Sequence, residues 1–139
     1  SKKNIWVEAE SIKVGKLSIP SKIWKNMPLG KNIKVISSLE ERVRFILKDY
    51  KYFTNTPTLM KDALKVLKKI IPKEEFFMIE ESLKKEEYFQ FVKYLIKYHY
   101  DRAYKKTRTV SVNNIFNEIY LDKINLLHIK RAIKQNNYF

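Results

Sequence analysis

Apolar residues recur at helical spacing over most of this chain, and only its first quarter follows a different rhythm. That quarter opens with a β-prone run at 5–9, Ile5-Trp6-Val7 in its body, which ends in Glu8, Glu10 and Ser11 and is followed by Gly15-Lys16. A strand apolar in its body and polar at its carboxyl end is the pattern of a buried parallel strand, and open α/β sheets place ligands at that end. Because the chain opens on this element, a preceding segment of the fold is expected to be missing. Lys16 to Ile19 is a second short β-prone run. Pro20-Ser21 predicts a short helix from Lys22 to Met27, with proline tolerated at the start and serine able to cap. Pro28 to Asn32 reads as a turn, and Ile33 to Ile36 as a candidate strand. Ser38-Leu39-Glu40-Glu41 is a capping box. It predicts a helix with Leu39, Val43, Ile46, Leu47 and Tyr50 on one face.

Three more helices follow from the same periodicity. Thr58 to Ile71 carries Met60, Ala63, Leu64, Leu67 and Ile71 on one stripe and stops at Pro72. Lys73 to Lys84 turns Phe76, Ile79 and Leu83 inward. Glu86 to Tyr100 aligns Tyr88, Phe91, Val92, Leu95 and His99, with Lys93 and Lys97 opposite. Beyond it, Val110 to Val112 and Glu118 to Leu121 read as short strands or extended segments, and Asn125 to Gln135 as a last amphipathic helix. The predicted class is mainly α with a small αβ remnant at 1–37, joined to a helical region at 38–139.

Composition narrows the function classes. The 139 residues include no cysteine, which excludes a disulfide, a thiolate nucleophile and a cysteine zinc site. No apolar run approaches the roughly 20 residues that span a bilayer, and Ser1-Lys2-Lys3 is not the start of a secretion signal. A cytoplasmic location without membrane association is expected. Charge changes the picture most: 29 Lys and Arg against 15 Asp and Glu give +14. Solubility alone asks about 2–8 of a small domain. A surplus of this size attracts polyanions, nucleic acid first among them; a lysine-rich background proteome is the plainer explanation.

Candidate chemistry gathers at three places. Glu8 and Glu10 lie on one side of a strand, placed to hold a metal-bound water or simply to reach solvent and pair with lysines. Arg42, early in the capped helix, is placed either to clamp a phosphate bidentately or to pair locally with Glu41 or Asp49. Tyr98 to Arg108 is the densest polar–aromatic cluster. Its His99, Asp101, Tyr104, Lys105, Lys106 and Arg108 suit unpaired bases and phosphates of RNA, or else a helix end whose tyrosines pack inward. The chain contains no Walker A loop, no Gly-x-Gly-x-x-Gly and no metal-ligand cluster. His128, with no second ligand in view, reads as structural.

In order and spacing, Glu8-Ala9-Glu10-Ser11, Gly15, Pro20, Glu41-Arg42-Val43 with Asp49-Tyr50, and His99-Tyr100-Asp101 with Tyr104 resemble the tRNA 2-selenouridine synthase family. The likeness spans about residues 5–108. It implies that residues 1–37 are the remnant of a P-loop α/β domain downstream of its Walker A loop, and that 38–139 form a helical, tRNA-engaging region. The family replaces the sulfur of wobble 2-thiouridine with selenium from selenophosphate, through a geranylated intermediate. Carried over residue by residue, Glu8, Glu10, Ser11, Gly15 and Lys16 would border the phosphate pocket, with Arg42 as a phosphate contact. No cofactor is expected on this chain alone; selenophosphate and geranyl diphosphate are implied for the complete enzyme. The implied partners are tRNA, a P-loop segment and a cysteine-bearing rhodanese-like domain. Arg102 stands where the family is expected to favour proline after His-Tyr-Asp. A non-catalytic, basic RNA-binding module and a protein-interaction domain are the competing classes.

Overall fold

The computed structural model describes residue 7 and residues 11–50, 57–107 and 115–135. The strand expected at 5–9 lies outside them except for Val7, which is exposed and belongs to no regular element; Val110 to Val112 also lie outside. Elements run in the order β1 (Lys13–Val14), β2 (Leu17–Ser18), α1 (Ser21–Asn26), a 3₁₀ turn (Met27–Leu29), β3 (Asn32–Ser37), α2 (Leu39–Asp49), α3 (Pro57–Leu67), α4 (Lys73–Lys84), α5 (Tyr88–Leu95), a π-helical turn (Ile96–Tyr100), α6 (Asp101–Thr107), β4 (Ile115–Leu121) and α7 (Leu126–Gln135). The fold is mainly α with a small αβ part. Two compact units divide it: residues 1–37 with 104–139, and residues 38–103. The second boundary falls inside α6, so the tail groups with the opening residues rather than with the helices before it.

The pairing of β4 with β3 is the reason. These strands run parallel, with Lys34 opposite Glu118, Val35 opposite Ile119 and Ser37 opposite Leu121. Lys34 Nζ bonds Glu118 at 2.9 Å, and the Ser37 hydroxyl donates to the Leu121 carbonyl at 2.9 Å. Ile119, Leu121 and Ala132 form this unit's core, with Ile33, Ile129 and Ile133 against it. One face of α7 is thereby buried on the sheet. The N-terminal end of α7 is closed by Asn125, whose side-chain oxygen accepts the His128 N–H at 2.9 Å. Nearer the start, β1 and β2 form an antiparallel hairpin with Val14 opposite Leu17. Gly15 takes φ +61° at the first central position of its two-residue turn, where glycine carries no steric penalty. The cap expected from Ser21 is not made. Pro20 occupies the cap position of α1, which has no side-chain cap bond, and Ser21 is already helical.

In the helical unit the capping box forms as its spacing predicts, the Ser38 hydroxyl accepting the Glu41 N–H at 3.1 Å. Val43, Met60, Leu64, Ile71, Phe76, Ile79, Phe91, Val92 and Ile96 make the core, with Val43 and Ile79 wholly enclosed. The helix expected to reach Ile71 ends at Leu67. Tightened bonds then carry the chain to Pro72, from Lys69 N–H to the Val66 carbonyl and from Ile70 N–H to the Leu67 carbonyl. Ser82, buried in α4, satisfies its hydroxyl on the Ile79 carbonyl at 2.8 Å. Between α4 and α5 the chain turns on a Schellman motif, Glu87 N–H to the Ser82 carbonyl and Glu86 N–H to the Leu83 carbonyl. Glu86 there holds φ +58°, a position that usually takes glycine. The helix expected to end at Tyr100 continues, through the π turn, into α6.

Candidate functional site

The first part of the polar–aromatic cluster predicted at Tyr98 to Arg108 is built on the π turn. A π turn spends an extra residue, so side chains beyond it emerge rotated from the register set by α5. Asp101 and Arg102 thereby meet partners on two other helices. Arg42 of α2 grips Asp101 in a two-pronged pair, Nη1 to Oδ2 at 3.1 Å and Nη2 to Oδ1 at 2.6 Å. Its guanidinium also lies 5.8 Å from the centre of the Tyr100 ring. Arg102 forms a second fork with Glu75 of α4, at 2.6 and 2.7 Å. That bond to the carboxylate favours the charged guanidinium further still.

Aromatic rings fill the space beside these forks. Tyr94 and Tyr98, four residues apart, stack with centroids 5.6 Å apart and planes 20° from parallel. Lys97 Nζ lies 5.1 Å from the Tyr98 centroid and the Arg102 guanidinium 5.6 Å from it. One turn earlier, Lys93 bonds Glu40 of α2 at 3.0 Å. This hydrogen bond, followed by the Glu40 backbone N–H and the lysine charge, holds the Glu40 carboxyl below its ordinary value. Chemically, the arrangement is a brace: Lys93 and Arg102 on one helical rod are tied to carboxylates on α2 and α4, and the rod's Asp101 is tied to Arg42 of α2. Among the described residues, no group of three or more His, Asp or Glu is placed to hold a metal ion.

The predicted residues distribute unevenly over this picture. Arg42 and Asp101, assigned to different roles by sequence, are each other's partner. The local alternative for Arg42 is not realised either, since it is Arg44 that approaches Glu41, at 3.5 Å. His99 sits half-buried within the π turn; Tyr104 is half-buried and Lys105 exposed on α6. Lys106 belongs to α6, while Arg108, Glu8 and Glu10 lie outside the described residues. Ser11, Gly15 and Lys16 are exposed at the β1–β2 hairpin, where the Ser11 hydroxyl accepts the Lys13 N–H at 3.1 Å. Sequence reading passed over Glu75, Tyr94 and Lys97. The spacing Tyr94, Tyr98, Arg102 was a usable signal, since residues four apart on a helix meet.

Residues 1–126 match the family model described as the tRNA 2-selenouridine synthase AAA domain, and the chain belongs to that family of tRNA-modifying enzymes. No curated protein and no solved structure matches it.

Proposed function

We propose that this chain serves the replacement of sulfur by selenium in 2-thiouridine at the tRNA wobble position, and that its part is to bind and position the tRNA. The observation that carries this reading is the family match over residues 1–126. The net charge of +14 supports it, because each phosphate that a lysine or arginine neutralises releases condensed counterions. Lys105, exposed on α6 and without an ion pair to a described residue, is the phosphate contact of the predicted cluster. Arg42 and Asp101 act within that reading by fixing the end of the helical rod from which α6 projects. A cysteine relay and a Walker A loop, neither within these 139 residues, are supplied by further segments of the same or another polypeptide, and selenophosphate and geranyl diphosphate are substrates of the complete enzyme.

Cross-linking the purified chain to total tRNA tests this, with the captured species and their wobble nucleosides identified by mass spectrometry. Enrichment of tRNAs carrying 2-thiouridine or its selenium counterpart is the expected result. Uniform recovery of all RNAs would leave a general RNA-binding module. Recovery of none would remove both readings.

A further inference from the structure

We propose that the outward face of α7, Lys130, Arg131 and Lys134 with Lys123 just ahead of it, is a phosphate-contacting surface for RNA, separate from the cluster on α6. The proposal rests on the tRNA reading above. It extends beyond the family match, which ends at residue 126 where α7 begins.

Three observations carry it. The first is orientation. Ile129, Ala132 and Ile133 are packed with Ile119 and Leu121, so this helix has the middle of its apolar stripe already covered, while Leu126 and Leu127 in its first turn stay exposed. All four cations are exposed, and none forms an ion pair with a described residue. The second is composition. No Asp or Glu occurs after Asp122. A helix surface shaped only by solubility interleaves the two signs, as α4 does where Lys84 bonds Glu80 and Glu81. On α7, Lys130 and Lys134 stand four apart with like charge, which disfavours the isolated helix. A polyanion relieves that repulsion. Only Lys134 is accounted for by the helix dipole, which favours cations in the last turn.

The third is where the charge of the chain resides. Residues 1–37 and 104–139 hold 15 Lys and Arg against 4 Asp and Glu, a net +11, while residues 38–103 hold 14 against 11, a net +3. The polyanion therefore has most to gain on the αβ unit. RNA fits better than an anionic membrane. A helix that binds lipid inserts its apolar face, and here Ile129, Ala132 and Ile133 of that face are taken by the sheet, leaving only the first-turn leucines exposed. Arg131 adds the planar fork that matches a phosphate's two oxygens.

The test uses the full chain and fluorescently labelled tRNA, with affinity measured by anisotropy across a salt series. Lys130→Ala, Arg131→Ala and Lys134→Ala together should weaken binding at least about tenfold at 0.1 M salt and lower the slope of log affinity against log salt by about 2–3. Lys13→Ala, Lys22→Ala and Lys25→Ala remove the same charge from elsewhere on the unit and should leave the slope close to wild type. An equal loss in both triple variants means diffuse attraction and overturns the proposal, as does wild-type binding by the α7 variant. In the unaltered chain, saturating tRNA should shield Lys130 and Lys134 from acetylation while Lys22 and Lys25 stay reactive. This readout needs no variant to fold, and unshielded Lys130 and Lys134 would overturn the assignment. If the unaltered chain binds tRNA but α7 proves irrelevant, only this surface is wrong. If it binds no tRNA at any salt, or binds only phosphatidylglycerol vesicles, the tRNA reading falls with it.

Discussion

The two units of this chain treat positive charge in opposite ways. In the helical unit six of 14 cations are paired with described neighbours: Arg42 with Asp101, Arg44 with Glu41, Arg102 with Glu75, Lys93 with Glu40, Lys65 with Asp62 and Lys84 with Glu80 and Glu81. In the αβ unit the only ion pair among the described residues joins Lys34 to Glu118. In the cluster that most looks RNA-binding by sequence, Tyr98 to Arg108, Asp101 and Arg102 are thus already engaged, while Lys105 stays exposed. The region with plainer sequence holds charge in reserve. Cations beside tyrosines are weak evidence for a ligand until their carboxylate partners are known.

Stability should separate the units in the same way, and the largest effect is expected in the helical core. Ile79→Ala, at a wholly enclosed position, should cost about 2–5 kcal/mol in urea unfolding. Ile119→Ala, in a core with three buried apolar residues among those described, should cost about 2 kcal/mol, the low end of that range. Amide exchange in that variant should quicken in β3, β4 and α7 and stay near wild type in α4 and α5. Equal quickening everywhere would mean one cooperative block and end the comparison.

Smaller effects sharpen it. Arg42→Met should cost about 1 kcal/mol, because the pair is about one-third exposed and solvent screens it. A double-mutant cycle with Asp101→Asn should show coupling within that amount; zero coupling would make the fork ornamental. Glu86→Gly should stabilise the helical unit by about 1 kcal/mol, since a side chain at φ +58° is strained where glycine is not. The smallest signal is a titration. The Lys93 hydrogen bond depresses Glu40, so its contribution is present above the carboxylate's unfolded value and is lost as pH falls through the lower folded one. In Lys93→Met the Glu40 carbon resonance should titrate at higher pH. In the αβ unit Tyr120 moves the other way: donating to Glu118 at 2.7 Å, beside that carboxylate's charge, raises its phenol. Its contribution is present below the unfolded value and lost as pH rises through the folded one.

How much of this was legible depended on how local the cause was. The capping box at Ser38 and the stripe through Phe76 and Ile79 act within one or two turns, and α2 and α4 appear as read, whereas the helix expected to run up to Pro72 ends at Leu67. Glu118 to Leu121 stayed open between strand and extended chain, because four residues carry no sign of their partner; β4 is seven residues long and its partner lies 84 positions earlier. The π turn was invisible for a related reason. Its sequence keeps the helical spacing of apolar residues, and the widening shows only in which distant carboxylates the next side chains reach. Arg42 and Asp101, 59 residues apart, belonged to separate sites for the same reason. The helix at Asn125 to Gln135 was read from its apolar face, and its cations were passed over as the solvated side.

The separation of β3 from β4 sets the order in which this protein can be made. Synthesis at roughly 5–20 residues per second places Glu118 about 4–17 s behind Lys34. During that interval Ile33, Val35 and Ile36 have no strand to pair with, and the helical unit, held by nearby contacts, completes itself on the faster scale of local folding. The sheet closes only when β4 emerges, and the helix that covers it follows β4 out of the ribosome. A nascent chain stalled before residue 115 should therefore have its helical core and lack its sheet. It would also lack the bare cations of α7, so its hold on RNA, if α7 is the grip, would arrive only once residues 126–135 are made.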